Sequence, residues 1–417
     1  MRDFLPAEKA TREHALGVIR RSYASHGFDE IETPVMEDIQ RLHSGLGGDN
    51  EKLSFSVLKR GIDKADLDAA ADLDDAQVLA DLGLRFDLTV PLARFYATHR
   101  AELPGVFRSV QIAPVWRAER PQKGRYRQFM QCDIDIIGDA SALAEVELIS
   151  ATLATLDALG LQGCTVRIND RRLLVGMLQL FGFPVDQHEF VLIVIDKIDK
   201  IGTEGVVDEL RTKAPQLGEA TDALEAFFLR PSDPAVQPFG RDAIAGALPE
   251  GIDATVVDEL VSIGDALDAG RIRFDPFLVR GMGYYTGTIF EIAHPDFSFS
   301  LGGGGRYDGM IGRFLGSDVP AVGFSIGFER IVDLVDLPDE LASDSVVLLY
   351  DAGVSAVLLQ SLKTGLIASG SRVRLERRAK NAKLQLERLA AAGFARVATV
   401  QPGVEGVDDL RFRALGE

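Results

Sequence analysis

Residue types suited to chemistry are densest in WRAERPQKGRYRQFMQCDIDIIG, residues 116–138. Successive side chains on a strand point to opposite faces, so alternation sorts them. In SVQIAPVWRAE, Val110, Ile112 and Trp116 share one face, and Arg117 and Glu119 project from the other. Pro121 and Gly124 mark a turn, after which Met130, Cys132, Ile134 and Ile136 take the apolar side. Arg127, Phe129, Gln131, Asp133 and Asp135 take the opposite side. An antiparallel hairpin would therefore gather Arg117, Glu119, Phe129, Gln131 and Asp135 on one surface, with Lys123 and Arg125 at or near its tip. Guanidinium forks suit phosphate, and a phenyl ring offers a base a stacking platform. A salt-bridged surface hairpin accounts for the same alternation.

Three further stretches have similar texture. LRFDLTV reads as a strand, with Leu84, Phe86, Leu88 and Val90 on one face and Arg85, Asp87 and Thr89 on the other. The Asp87–Thr89 pair could hold an ammonium group, and an ordinary half-exposed strand explains it equally well. FLVRGMGYYTGTIFEI sets Arg280 beside Gly281, Gly283 and Gly287 and before Tyr284 and Tyr285, glycines that permit close backbone approach. SLGGGGRYDGMIGRF lacks the context of a dinucleotide or phosphate-loop fingerprint, which leaves turn geometry as the expected reason for its glycines. In VGFSIGFERIVDLV, Phe328, Ile331, Val332 and Val335 fall at helical spacing, leaving Glu329 and Arg330 off that stripe. Arg330 near a helix start favours an anion.

These segments need a scaffold. Residues 7–26 predict an amphipathic helix with Ala10, Ile19 and Tyr23 among charges, stopped by Gly27. Residues 61–83 read as an acidic connector followed by a short helix before Gly83. Helical patterns at 140–160 and 171–182 flank the strand-like CTVRIND, and a helical run at 184–270 has the look of an inserted domain. From residue 345, strand and helix alternate as in a small α/β unit.

Composition narrows the classes. The 417 residues are 46% hydrophobic, enough for two or three domains, and carry a formal net charge of -18, which excludes a generally basic nucleic-acid coat. Residues 345–417 reverse the sign, with 11 Lys/Arg against 7 Asp/Glu. There Arg372, Arg374, Arg377, Arg378, Lys380 and Lys383 surround Glu376, a cluster that attracts phosphate or forms a solvated helix face. Two cysteines exclude a disulfide framework and a four-thiolate zinc site. Cys132, on the apolar side of its strand, reads as packing. The histidines are scattered without i, i+4 pairs, and no Ser-His-Asp or metal-ligand constellation stands out. Without a long apolar run, the chain is expected to be soluble and cytoplasmic.

On these residues the chain resembles the histidyl-tRNA synthetases, a class II aminoacyl-tRNA synthetase family, over nearly its whole length. RDFLP is similar to the family's N-terminal signature and GFDEIETPVME to motif 1, the family's dimer interface. WRAERPQKGRYRQFMQCDIDIIG resembles motif 2 and PAVGFSIGFERIV motif 3. LVRGMGYYTGTIFE and GGGGRYDG resemble the two histidine-specific signatures. The implied fold is α+β: a class II core, with a mixed, mainly antiparallel sheet flanked by helices, at 1–183 and 271–337. A helical insertion at 184–270 and a shortened anticodon-binding-like α/β domain at 345–417 complete it.

The implied activity is ligation of histidine to tRNA(His) through histidyl-adenylate, with release of pyrophosphate. By the same resemblance Arg117 meets the α-phosphate, Glu119 and Phe129 the adenine, and Arg125 and Arg330 the outer phosphates. Asp87 and Thr89 hold the histidine ammonium, Gln131 its carboxylate region, and Asp135, Tyr285 and Tyr307 the imidazole. Arg117, Gln131 and Arg280 would serve catalysis. Lys123, Arg374, Arg377, Arg378 and Lys380 are candidates for tRNA contact. Mg2+ is expected with ATP, its protein ligands unassigned, and a homodimer through motif 1. Gly283 departs from the pattern, standing where many members have an acid before the two tyrosines. A second reading is the histidine-sensing regulatory subunit of ATP phosphoribosyltransferase, which keeps the core but loses synthetase residues and the tail.

Overall fold

A computed structural model describes residues 1–43, 53–73, 75–119, 126–230, 239–280, 283–335, 345–401 and 403–415. They divide into two compact units, one of residue 1 with 18–334 and one of 2–17 with 335–417. The strands are β1 (Asp29–Glu30), β2 (Met36–Asp38), β3 (Phe55–Leu58), β4 (Ala80–Leu84), β5 (Phe107–Trp116), β6 (Gln128–Ile137), β7 (Thr165–Asp170), β8 (Ile272–Phe274), β9 (Thr288–His294), β10 (Phe297–Arg306), β11 (Ala321–Ile326), β12 (Ser345–Tyr350), β13 (Arg372–Arg377), β14 (Arg396–Val400) and β15 (Phe412–Ala414).

Eight of them form the main sheet of the larger unit, in the order β1-β5-β6-β11-β10-β9-β7-β8. Only the outermost pairs, β1 with β5 and β7 with β8, run parallel. The β5–β6 hairpin pairs Phe107 with Ile137 through to Trp116 with Gln128, which keeps Cys132, Ile134 and Ile136 buried together on one face. A small second sheet has the order β2-β4-β3.

Among the described residues before 335, the helices are α1 (Pro6–Ser25), α2 (Ile39–His43), α3 (Lys64–Leu73), α4 (Thr89–His99), α5 (Leu143–Ala158), α6 (Arg171–Leu180), α7 (His188–Ile195), α8 (Ile198–Lys213), α9 (Gly218–Phe228), α10 (Arg241–Gly246), α11 (Ala254–Asp265), α12 (Asp308–Leu315) and α13 (Phe328–Ile331). In α1, Ile19 and Tyr23 are buried and Ala10 is exposed. Helix α5 packs on β6 and β11 and buries Leu148, Ile149 and Leu156. Asp170 and Asp253 cap α6 and α11 by accepting the N–H groups of Arg172 and Thr255, the usual device for orphan donors of a first turn. No helix among the described residues is long and apolar enough to cross a membrane.

Residues 61–83 depart from expectation. They hold α3 and then enter β4, so Gly83 lies inside a strand, where a Cβ would come within 2.9 Å of Leu42 Cδ1. Phe328, Ile331, Val332 and Val335 are buried as expected, but the helix is a single turn, α13, continued as a 3-10 turn that ends at Leu334, before Val335.

In the second unit, β12 lies between β13 and β14 in parallel, and β15 closes the far edge antiparallel. Helices at Ala356–Ala368 and Ala382–Ala391 make the crossovers. Val346, Leu348, Leu362, Leu366 and Val400 form one core cluster.

Candidate active site

Register places two polar rows across one face of the main sheet. The first runs Arg167–Glu291–Gly303–Ser325–Asp133–Gln111 over β7, β9, β10, β11, β6 and β5. The second, two residues along, runs Asn169–Ile289–Gly305–Gly323–Asp135–Ser109. Glycines fill the middle of both rows and leave room for side chains lying over them. A Cβ on Gly303 would sit 2.9 Å from the Arg280 guanidinium, and one on Gly305 would sit 2.8 Å from the Tyr285 ring. A Cβ on Gly323 would strike the Asp135 carboxylate.

Turn geometry therefore does not explain the run Gly302–Gly305, which lies inside a central strand. Close approach on both faces does. On the opposite face, Gly304 pairs with both Phe290 and Phe324, whose rings stack with centroids 5.0 Å apart.

Beside these rows lies a buried acidic and phenolic cluster. Asp87, Asp133 and Asp135 are each no more than 5% exposed. Burial, opposed by the Val90 N–H and the charge of Arg117, raises Asp87 to about 6. Burial and the charge of Asp87, against bonds from Ser325 and Gln131, raise Asp133 to about 7. Asp135 is likewise pushed well above the ordinary carboxylate range, by burial and then by Asp133. Tyr307 donates to Asp135 Oδ1 at 2.6 Å. Thr89 lies beside Tyr284, the Tyr284 and Tyr285 ring centroids are 4.8 Å apart, and Tyr284 packs edge-on to Tyr307 at 6.1 Å. Gln131 donates to Asp133. Among the described residues, Asp87 Oδ2 and Gln131 Oε1 are buried acceptors without a hydrogen-bond partner.

Arg117 lies just past the end of β5, not on it, though its N–H still bonds Arg127 O at 2.8 Å and continues the ladder. Its Nε donates to Phe86 O at 2.9 Å, and its guanidinium lies 5.0 Å from the Phe129 ring centroid. Glu329 is buried, not left aside, and accepts the Met130 N–H at 3.2 Å, so α13 meets β6 beside Phe129 and Gln131. Arg330 donates to Ser300 O from the neighbouring position. Glu119 is partly exposed, with its carbonyl accepting from Arg127. Lys123 and Arg125 lie outside the described residues.

The segment LRFDLTV is not a strand. Leu84 ends β4, Thr89 opens α4, and an irregular link joins them. Arg85, 2% exposed, accounts for this: its guanidinium donates to the carbonyls of Pro114 at 2.9 Å and Thr33 at 2.6 Å, pegging the link to the sheet. The link's own carbonyls accept from Arg117 and Gln111. Phe86, Leu88 and Val90 from one expected face and Arg85 and Asp87 from the other are consequently all buried, and Asp87 reaches the cluster from a turn whose shape its Oδ1 fixes by accepting Val90 N–H.

The structure thus gathers Asp87, Thr89, Arg117, Phe129, Gln131, Asp135, Tyr285 and Tyr307 around one connected network, and Arg280 joins it through its charge on Tyr285. Sequence reasoning placed Asp133 on the right face without a role. It missed Gln111, Tyr284 and Glu291, whose carboxylate accepts from Arg280 at 2.8 Å. The glycine run inside an alternating stretch was the available signal.

In the second unit, Arg374, Arg377, Arg378 and Lys380 are exposed on the edge strand β13 and the loop after it, not on a helix face. Arg372 and Arg374 both overlie the Phe394 ring, at 4.5 and 4.6 Å. Arg374 and Arg378 lie 3.6 Å from Glu376 and 3.5 Å from Asp351.

A mixed, mainly antiparallel sheet with guanidinium and carboxylate groups on one face, alongside helices and a small α/β unit, is the architecture of a class II aminoacyl-tRNA synthetase. The chain belongs to the histidyl-tRNA synthetase family, whose sequence model matches residues 1–331. It is 62% identical over 412 residues to the histidine–tRNA ligase of Leifsonia xyli subsp. xyli, covering 98% of this chain and 95% of that one. It is 45% identical to the probable histidine–tRNA ligase of Tropheryma whipplei strain Twist, covering 96% and 95%. The crystal structure of histidyl-tRNA synthetase from Nostoc sp. PCC 7120 superposes with a TM-score of 0.76 at 26% identity, over 99% of this chain and 93% of that one. One from Bacillus halodurans C, titled ATP phosphoribosyltransferase regulatory subunit/histidyl-tRNA synthetase, gives 0.72 at 21% identity over 94% of each, a likeness of fold.

Proposed function

We propose that the polar face of the main sheet activates histidine with ATP and passes it to tRNA(His), the activity of a histidine–tRNA ligase. The observation that carries the reading is the pair of unpartnered buried acceptors, Asp87 Oδ2 and Gln131 Oε1, on the network that also holds Arg117. Each leaves about 1–3 kcal/mol of desolvation unrelieved. An ammonium group supplies three donors and a positive charge, which answers Asp87 Oδ2 and the ionised state of Asp87.

Asp87 and Thr89 then hold the amino group and Gln131 the carboxylate region. Asp135, with Tyr285 and Tyr307, receives the imidazole, whose N–H groups a carboxylate and phenols can match. Apolar analogues would leave these groups unpaired. Arg117 takes the α-phosphate, Phe129 and Glu119 the adenine, and Arg125 and Arg330 the outer phosphates. The histidine carboxylate oxygen attacks the α-phosphorus, and the bond to pyrophosphate breaks in line. The terminal adenosine hydroxyl of tRNA next attacks the carbonyl carbon and AMP leaves. Arg280 and Arg117 meet the charge that builds on phosphate, a matter of positioning and electrostatics.

Mg2+ would arrive on the triphosphate and neutralise it. Among the described residues no group of three or more His, Cys, Asp or Glu side chains forms a metal cage, which suits an ion held mainly by phosphates and water. We further assign 1–183 with 271–337 as catalytic core, 184–270 as a helical insertion and 345–417 as a shortened anticodon-binding-like domain. Lys123, Arg374, Arg377, Arg378 and Lys380 contact tRNA, the motif 1 region joins two copies, and the protein works in the cytoplasm. Identity of 62% to a relative named as a ligase favours this over the histidine-sensing subunit. The test is pyrophosphate–ATP exchange, expected only when histidine is supplied. Histidine binding without exchange would indicate the sensor instead.

A further inference from the structure

Arg280 sits on a bare glycine and is tethered at one end. Register opposes Glu291 on β9 to Gly303 on β10, and the absent side chain of Gly303 lets the Arg280 guanidinium lie there, 2.9 Å from where a Cβ would be. Nη1 of Arg280 donates to Glu291 Oε2 at 2.8 Å. The other carboxylate oxygen, Oε1, is 3.4 Å from Nη1 of Arg167, the residue opposite Glu291 on β7. Arg167 is itself held by Asp275 and, at 3.0 Å, by Asp199 in the first turn of α8. Both partners of the Arg280–Glu291 pair are mostly shielded, with 26% and 17% of their side chains exposed.

We propose that Glu291 is the positioning residue of Arg280. It fixes the guanidinium's plane over Gly303 and leaves the remaining N–H groups to face the reacting phosphate, and Arg167 fixes Glu291 in turn. The inference rests on Arg280 serving the reaction as proposed above. A flexible arginine would have to be ordered at each turnover, whereas one clamped by a shielded carboxylate is ordered beforehand. Glu291 lies on the sheet and needs no contact with substrate for this.

The experiment is histidine-dependent pyrophosphate exchange with Glu291→Gln, Arg280→Lys and the double variant, alongside thermal midpoints. Gln keeps one acceptor for Arg280 but loses the charge and the second acceptor that faces Arg167. We expect Glu291→Gln to lower kcat about 10- to 100-fold, with KM for histidine and ATP within about threefold and a midpoint lowered by only a few degrees, well above the assay temperature. In the Arg280→Lys background the same change should cost less than about threefold more, since the partner it positions is already altered. Arg167→Gln should give a smaller kcat loss of the same kind. Equal losses in both backgrounds, a fall confined to the midpoint, or wild-type kcat in Glu291→Gln would overturn the proposal. Wild-type protein without exchange would overturn the ligase reading, a separate outcome.

Discussion

Tyr307 donates its hydroxyl to Oδ1 of Asp135 at 2.6 Å, and the carboxylate it holds lies over Gly323, where any side chain would collide with it. One phenol and one missing side chain thus fix the orientation of a buried acid. Asp135 is held well above the ordinary carboxylate range, chiefly by burial and then by neighbouring Asp133, and the Tyr307 bond works against that rise.

Tyr307→Phe removes the hydroxyl that donates to Asp135 while keeping the ring. We expect KM for histidine to rise about tenfold and stability to fall by about 1 kcal/mol, the typical worth of one hydrogen bond. Exchange kinetics over a histidine series, with denaturant melts, check both numbers. An unchanged KM would remove Asp135 from substrate recognition.

Gly323→Ala tests the space rather than the bond. Its methyl group would enter the Asp135 carboxylate and press on Tyr307 Cε1, 3.1 Å away. Overpacking of this kind costs about 1–3 kcal/mol and should abolish measurable histidine binding by calorimetry. Retained affinity would mean that the carboxylate has somewhere else to go.

The hairpin face was legible because antiparallel register is local: Phe129, Gln131, Asp133 and Asp135 follow from counting by two along one strand. The glycine row was not, since Glu291, Gly303, Ser325 and Asp133 become neighbours only when four strands have paired. LRFDLTV misled for a physical reason. Its alternation was real, but buried Arg85 spends its donors on carbonyls of other segments, and no periodicity records that. Glu291 lay in view at the end of TGTIFE, yet its partner depends on Arg280 folding back across a strand.

Acid titration should carry the mark of the cluster. Asp87 and Asp133 titrate at about 6 and about 7 when folded, against an ordinary value near 4, so the folded state binds protons that the unfolded chain has released. Their contribution to stability is fully present below about pH 4 and is lost as pH rises through 6 and then 7. Asp133→Asn removes one of these groups. At pH 8 the ligand-free variant should therefore be more stable than wild type, by on the order of 2–4 kcal/mol, and the gap should narrow below pH 7 and close near about pH 4. Chemical denaturation across that range measures it. Parallel curves would show that Asp133 does not titrate there.

The basic edge of the second unit should matter to tRNA and not to adenylate chemistry. Arg374 and Arg378 are exposed, and their nearest acids stand 3.6 and 3.5 Å away, ion pairs that in water are worth little and leave both charges available to phosphate. Reversing both, Arg374→Glu with Arg378→Glu, leaves the Val373 and Leu375 side of β13 untouched, so the sheet should hold. We expect kcat/KM for tRNA charging to fall about 10- to 100-fold while histidine-dependent exchange stays within about twofold. Salt dependence supplies a second measure: for every phosphate that the variant no longer neutralises, the slope of log affinity against log salt should flatten by about 0.7–0.9. A charging rate that ignores both substitutions would move tRNA binding away from this strand, and equal loss of charging and exchange would make the strand a structural support.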